Sequence, residues 1–251
     1  MLKKLIISPP FGNILNLDYA TSICGTFTAE KRKGMLRQYL KTIRPVYRRK
    51  QVGWVNAIGL RNPGISNLIP RRVDNKIISI VPIVQNDIPI LIENIENHIE
   101  NKGLNFKAIE INIGCPNASF HTPNTKEVEA FQKLGLELIL KIPPVRNYLD
   151  IIEQYSDAGI KYFHLFNSFG SGRGGASGEI LKTLYARMIL KVKYKFEDNI
   201  NIIAGGGITS LYDIEMYKEV GADHYSISSL FFHPTKIFKF LSEYKNENIA
   251  V

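Results

Sequence analysis

Apolar positions along the chain gather in short, compact runs separated by longer stretches with helical spacing. The segments IISIVPI (77–83), KAIEINIG (107–114), LELILKIP (136–143), KYFHLFNS (161–168), INIIAGG (200–206) and DHYSISS (223–229) are apolar on both faces. That is the pattern of strands covered from both sides. YLKTIRP (39–45) and the segment at 18–23 bring the predicted strands to eight. Between them DIPILIENIENHIENKG, TKEVEAFQKLG, YLDIIEQYSDAG, SGEILKTLYARMILKVKYK, SLYDIEMYKEVG and PTKIFKFLSEYK have the spacing of helices. Several end in glycine, the usual left-handed helix cap. Strands alternating with helices imply a parallel sheet wrapped in helices, and eight such units close on themselves. The expected architecture is therefore α/β, a (β/α)8 TIM barrel forming one domain over residues 1–251. LKKLIIS, the turn PPFGN and ILNLDYATSI predict an N-terminal β-hairpin ahead of it.

Composition agrees with one globular core: 251 residues, 45% hydrophobic and 22% charged. The net charge of +9 adds an attraction for anions. Much of that excess lies in residues 30–50, a stretch without the aromatic interleaving of a nucleic-acid platform and without a second patch. A solvated basic face with one or two functional cations is expected, and nucleic acid is not an expected partner. Two cysteines, Cys24 and Cys115, make neither a disulfide framework nor a four-ligand zinc site. No metal is expected, and the location expected is the reducing cytoplasm. The opening MLKKLIISPPFGN is too short an apolar run for a membrane span or signal peptide, and no later segment reaches the needed length.

In a (β/α)8 barrel the chemistry collects at the C-terminal ends of the strands. The predicted strand ends and the loops that follow carry Lys41, Asn56, Asn112, Cys115, Asn117, Lys141, Asn167, Ser168, the triplet Gly205 to Gly207, Ser228 and Ser229. One asparagine in a buried strand serves to tie backbone together; several converging at one mouth suit a planar heterocycle with carbonyl and N–H edges. Cys115, between Gly114 and Pro116, reads either as a small apolar filler or as a base, since an ordinary thiol pKa of about 8.5 is within reach of neutral pH. Lys41 and Lys141 sit at the ends of apolar runs, where a lysine needs an anionic partner. That partner is either internal, with Glu110 as a candidate, or a flavin, carboxylate or phosphate. AGGGITS and SISS follow the last two predicted strands, the usual phosphate site of this architecture. GSGRGGASGE (170–179) reads as a flexible turn or as a loop that closes over a ligand.

The segments CGTF, KTIRP, NAIGLRNPG, EINIGCPN, LKIPP, NS…GGASG, IIAGGGI and GADHYSISS occur in an order that resembles the dihydroorotate dehydrogenases, over nearly the whole chain. NAIGLRNPG and INIGCPN are the specific segments; AGGGI is common to many phosphate-binding barrels. The resemblance implies FMN as cofactor and oxidation of dihydroorotate to orotate in pyrimidine biosynthesis. It implies that Cys115 is the catalytic base, as in the soluble branch of the family, and that Lys41 touches both flavin and substrate. Asn56, Asn112, Asn117 and Asn167, with Ser168 and the backbone of Ile58, Gly59 and Leu60, are implied to hold the pyrimidine. Cys24, Gly25, Lys41, Asn112, Lys141, Ser168, Gly178, Gly206, Gly207, Ser228 and Ser229 are implied to hold FMN. A homodimer or an electron-transfer subunit is the implied partner. The chain departs from the family in a shorter stretch from Gly25 to Lys41, in a short SFGSGRG between Asn167 and Gly175, and in Ser228 where glycine is usual. Other flavin barrels that act on pyrimidines, dihydrouridine synthases and dihydropyrimidine dehydrogenases, use a cysteine in a similar loop. A shortened, inert flavin-binding module is a further alternative.

Overall fold

A computed structural model describes residues 1–48, 51–116, 118–166 and 168–249. In chain order the strands and helices are β1 (Leu5–Ile7), β2 (Ala20–Phe27), α1 (Met35–Thr42), β3 (Arg44–Arg48), β4 (Gln51–Asn56), α2 (Pro70–Val73), β5 (Ile77–Ile80), α3 (Asp87–Glu100), β6 (Ala108–Asn112) and α4 (Thr125–Gln132). They continue as β7 (Leu138–Ile142), α5 (Tyr148–Asp157), β8 (Tyr162–Leu165), β9 (Phe169–Ser171), β10 (Gly174–Gly178), α6 (Lys182–Phe196), β11 (Asn201–Gly205), α7 (Leu211–Glu219), β12 (His224–Ile227) and α8 (Pro234–Ile249). Eight parallel strands close a barrel in the order β1, β2, β5, β6, β7, β8, β11, β12, as the alternation of apolar runs and helices predicts.

Side chains alternate across each strand, so every barrel strand feeds two cores. Ile6, Ile23, Ile77, Ala108, Ile139 and Ile203, one from each of six strands, form a small cluster of their own. Ile23 is level with Ile77, and Ile77 with Ala108, near the strand N-termini. This layer fills one end of the barrel and leaves the C-terminal end for a cavity. Their neighbours Leu5, Ile78, Ile109, Leu138 and Ile202 belong to the larger core that the helices cover.

The predicted hairpin is not formed. β1 runs parallel to both β2 and β12 and is itself the first barrel strand. The dozen residues after Ile7 carry the chain back to the end at which β1 began, through a single 3-10 turn at Phe11–Asn13, and a two-residue turn cannot do that. Gly12 makes the passage possible: a Cβ there would stand 2.1 Å from the carbonyl oxygen of Ile23. YLKTIRP is likewise not a barrel strand. Residues 35–42 are α1, because Met35, Tyr39 and Ile43 follow helical spacing and turn together toward the cavity. The strand wrongly assigned to 39–45 is replaced in the count by β1.

A second, antiparallel sheet in the order β3, β4, β10, β9 lies over the barrel mouth. It joins the excursion after β2 to the one after β8, with Gly175 opposite Asn56 and Ser177 opposite Trp54. GSGRGGASGE therefore supplies most of two strands. Among the described residues no helix is long and apolar enough to cross a membrane.

Candidate active site

A cavity of about 630 Å³ opens at the C-terminal ends of the barrel strands beneath the small sheet. Its floor is a buried polar chain. Glu110 on β6 is fully buried and meets three partners. Ser79 on β5 donates to it at 2.7 Å, His164 Nδ1 on β8 lies at 2.6 Å, and Lys141 Nζ on β7 at 3.6 Å. The Ser79 hydroxyl is 3.0 Å from that of Thr26 on β2, and Asn112 Nδ2 donates to Thr26 Oγ1 at 3.1 Å. Burial alone would raise the Glu110 pKa. The Lys141 ammonium, then His164, then the hydrogen bonds from His164 and Ser79 outweigh it and bring the group down to about 2. For His164, burial and then the nearby Lys141 charge lower the pKa, against the pull of Glu110. The consistent state is an ionised Glu110 balanced by Lys141, with neutral His164 donating Nδ1–H to the carboxylate.

Asn112 ends β6 at the cavity, its side-chain Oδ1 accepting from the Gly114 N–H at 3.1 Å. That turn aims the following residues, and half-buried Cys115, directly after Gly114, lines the cavity. Asn56, at the end of β4, lines it as well, its Oδ1 3.5 Å from the Ile58 N–H. Ile58, Gly59, Leu60 and Ser168 complete this wall. Asn117 and Asn167 lie outside the described residues. Lys41 is exposed on α1 and is absent from the cavity lining, which holds other cations. Lys141 is one of them. Cys24 borders the cavity, but its thiol donates to Ile77 O at 3.3 Å and burial pushes its pKa up to about 12, so only its backbone and that of Gly25 are available to a ligand.

On the opposite wall Gly178, Gly206, Gly207, Ser228 and Ser229 come together with Ser177 and Tyr185. Gly206 has φ +95°, and a Cβ there would lie 2.4 Å from the Tyr185 ring. The glycine thus lets the loop pack directly against the Tyr185 ring in a conformation that side chains rarely adopt. The Ser228 hydroxyl already donates to Pro9 O at 2.7 Å. The Trp54 indole N–H is buried at the cavity without a partner among the described residues. A glycine cradle after the last two barrel strands, serines beside it, an orphaned indole donor and a lysine on the floor fit a phosphorylated flavin such as FMN.

Sequence reasoning left His164, Thr26, Ser79, Arg32 and Arg61 out of the site. For His164 the signal was present: a histidine inside the apolar run YFHLF needs a buried partner. Its partner is 54 residues away, and no local pattern names it.

The profile of the family described as dihydroorotate dehydrogenase matches residues 11–146, just over half the chain. A protein of Staphylococcus carnosus named dihydroorotate dehydrogenase B (NAD(+)), catalytic subunit, is 28% identical over 214 residues, covering 74% of this chain and 69% of that protein. One of Shouchella clausii with the same name is 30% identical over 202 residues, covering 68% and 64%. A crystal structure of ligand-free dihydroorotate dehydrogenase from Eimeria tenella superposes with TM-score 0.66 at 14% identity over 93% of this chain and 80% of that one, a likeness of fold. With the barrel, the cavity at its strand ends and the family profile in agreement, the chain belongs to the dihydroorotate dehydrogenase family.

Proposed function

We propose that this chain oxidises dihydroorotate to orotate with bound FMN, and that Cys115 is the base. The observation that carries the reading is the meeting of Cys115, Asn112 and Asn56 with Lys141 and the glycine cradle in one cavity. Cys115 removes the proton from C5 of the dihydropyrimidine. FMN, when bound, accepts the hydride that leaves C6. Asn112 and Asn56 present amides to the ring's carbonyl and N–H edges, a part that the family resemblance also gives to Asn117 and Asn167. Asn112 is held in place by Thr26 and Gly114, so little of its motion remains to be lost when substrate arrives. Lys141 lines the cavity with Glu110 3.6 Å away as its counter-ion, and would face the flavin from the floor. Gly178, Gly206, Gly207 and Ser229 hold the phosphate, Ser168 and the backbone of Cys24 and Gly25 border the ring system, and Ile58 to Leu60 close over the pyrimidine.

The relatives carry the name of a catalytic subunit. We extend that role to this chain, which then passes its electrons to NAD+ through an electron-transfer partner in the cytoplasm.

Purified protein is expected to be yellow and to bleach anaerobically on addition of dihydroorotate. A yellow protein that bleaches with a reduced nicotinamide and is indifferent to dihydroorotate would move the assignment to another pyrimidine reductase. A colourless protein that FMN cannot reconstitute would leave an inert module.

A further inference from the structure

The excursion between β2 and β5 has an unusual charge. The 42 residues from Lys31 to Arg72 hold twelve lysines and arginines and no aspartate or glutamate; the rest of the chain, with 20 basic against 23 acidic residues, is net −3. All the positive excess of the protein thus resides in the segment that arches over the cavity. Among the described residues none of these cations takes part in an ion pair.

Five of them, Lys31, Arg32, Lys33, Arg61 and Arg72, line the cavity. They stand on a welded frame. Arg32 and Asn62 exchange backbone hydrogen bonds at 2.9 and 3.1 Å. The buried Asn62 side chain accepts from Thr28 N and Gly64 N and donates to Leu60 O and Thr28 Oγ1. Arg32 Nη2 donates to Gly59 O at 3.3 Å and Arg61 Nη1 to Lys33 O at 2.5 Å. The Nε of each arginine is buried with no partner among the described residues. Like charges gathered in a partly enclosed space, with two guanidinium donors left over, are unfavourable until an anion joins them.

We propose that Arg32, Arg61 and Arg72, with Lys31 and Lys33, form a second oxyanion site at the cavity mouth, taking a small multivalent phosphate or carboxylate other than the FMN phosphate. The inference rests on the cavity being the place where pyrimidine and FMN meet. Paired guanidinium forks match the two oxygens of either anion. The anionic group belongs either to the pyrimidine itself or to a separate ligand such as the molecule that reoxidises the protein.

The test is calorimetric titration of the FMN-loaded protein with pyrophosphate. Saturable binding is expected, weakened by added salt, at least roughly tenfold weaker in Arg61→Gln/Arg72→Gln, and unchanged in Arg37→Gln/Arg44→Gln, whose exposed cations lie outside the cavity lining. If the first variant does not fold, Lys31→Gln/Lys33→Gln, at two exposed positions, carries the same comparison. Saturating orotate identifies the source: displacement of pyrophosphate assigns the site to the pyrimidine's own carboxylate, and joint binding assigns it to a separate anion. No saturable binding, or equal weakening in the inner and outer variants, overturns the proposal. If the protein holds no FMN, the reading of function fails separately; pyrophosphate then has the glycine cradle open to it, and only loss of affinity in the inner variants supports the mouth site.

Discussion

At the scale of single residues, the site rests on a few atoms whose replacement has separable effects. Cys115→Ser keeps the size of the side chain and weakens the base, so anaerobic reduction by dihydroorotate is expected to slow by roughly 10²–10⁴-fold with the yellow colour retained. An unchanged stopped-flow rate would remove Cys115 from the mechanism. Gly206→Ala acts on the cofactor instead. At φ +95° with the Tyr185 ring 2.4 Å from the new methyl group, backbone or ring must move, and FMN content on purification is expected to fall sharply. Glu110→Gln leaves Lys141 facing a neutral amide in a nearly dry site, where an unbalanced charge costs about 3–5 kcal/mol. Urea unfolding of Glu110→Gln/Lys141→Met should recover part of that loss; additive losses would mean that the two charges do not sense each other.

At the scale of elements, the excursion from residue 28 to 73 is held to the barrel differently from the way the barrel holds itself. The barrel strands are buried on both faces, whereas α1 buries no residue and β3 is mostly exposed. Asn62 ties the two loops of this excursion together by accepting from Thr28 N and donating to Thr28 Oγ1, and it shapes its own loop by accepting from Gly64 N and donating to Leu60 O. Asn62→Ala is therefore expected to loosen one cooperative unit and leave the other intact. Amide exchange should quicken over residues 28–34 and 60–64 and stay slow in β5, β6 and β7. Uniform quickening would show that the excursion is part of the global folding unit.

For the whole molecule, acid is the natural denaturant. His164 and His224 have folded pKa values lowered chiefly by burial, and Glu110 is held at about 2 against an ordinary 4.5. For all three groups the unfolded chain binds protons more readily than the folded one, so lowering the pH draws the equilibrium toward unfolding. Stability is expected to be level from about pH 7 to 8, and to decline on the acid side through the histidine range near pH 6.5. It should fall again below about pH 4.5 as the unfolded glutamate protonates, the Glu110 share on the order of 3 kcal/mol being spent by about pH 2. Thermal melts from pH 8 to 3 would reveal this order. A melting temperature that stays level below pH 4.5 would show that Glu110 is not ionised in the folded protein.

Local pattern determined much of this. Seven barrel strands, the helices between them, the position of the glycine triplet and the placing of Asn112 and Cys115 at the end of β6 were all legible from the sequence, because strand and helix periods are written in which side chains a segment can bury. Ring closure decided the rest. Whether Leu5–Ile7 or residues 39–45 supplied the eighth strand depended on which segment can lie between β12 and β2, a condition on the two ends of the chain together. The same closure put Lys41 outside and joined Glu110 to His164 across 54 residues, and it collected the cations of the excursion at the cavity mouth. A side chain's burial is a local preference. Its partner is settled by the register of distant strands, and only the folded barrel contains that register.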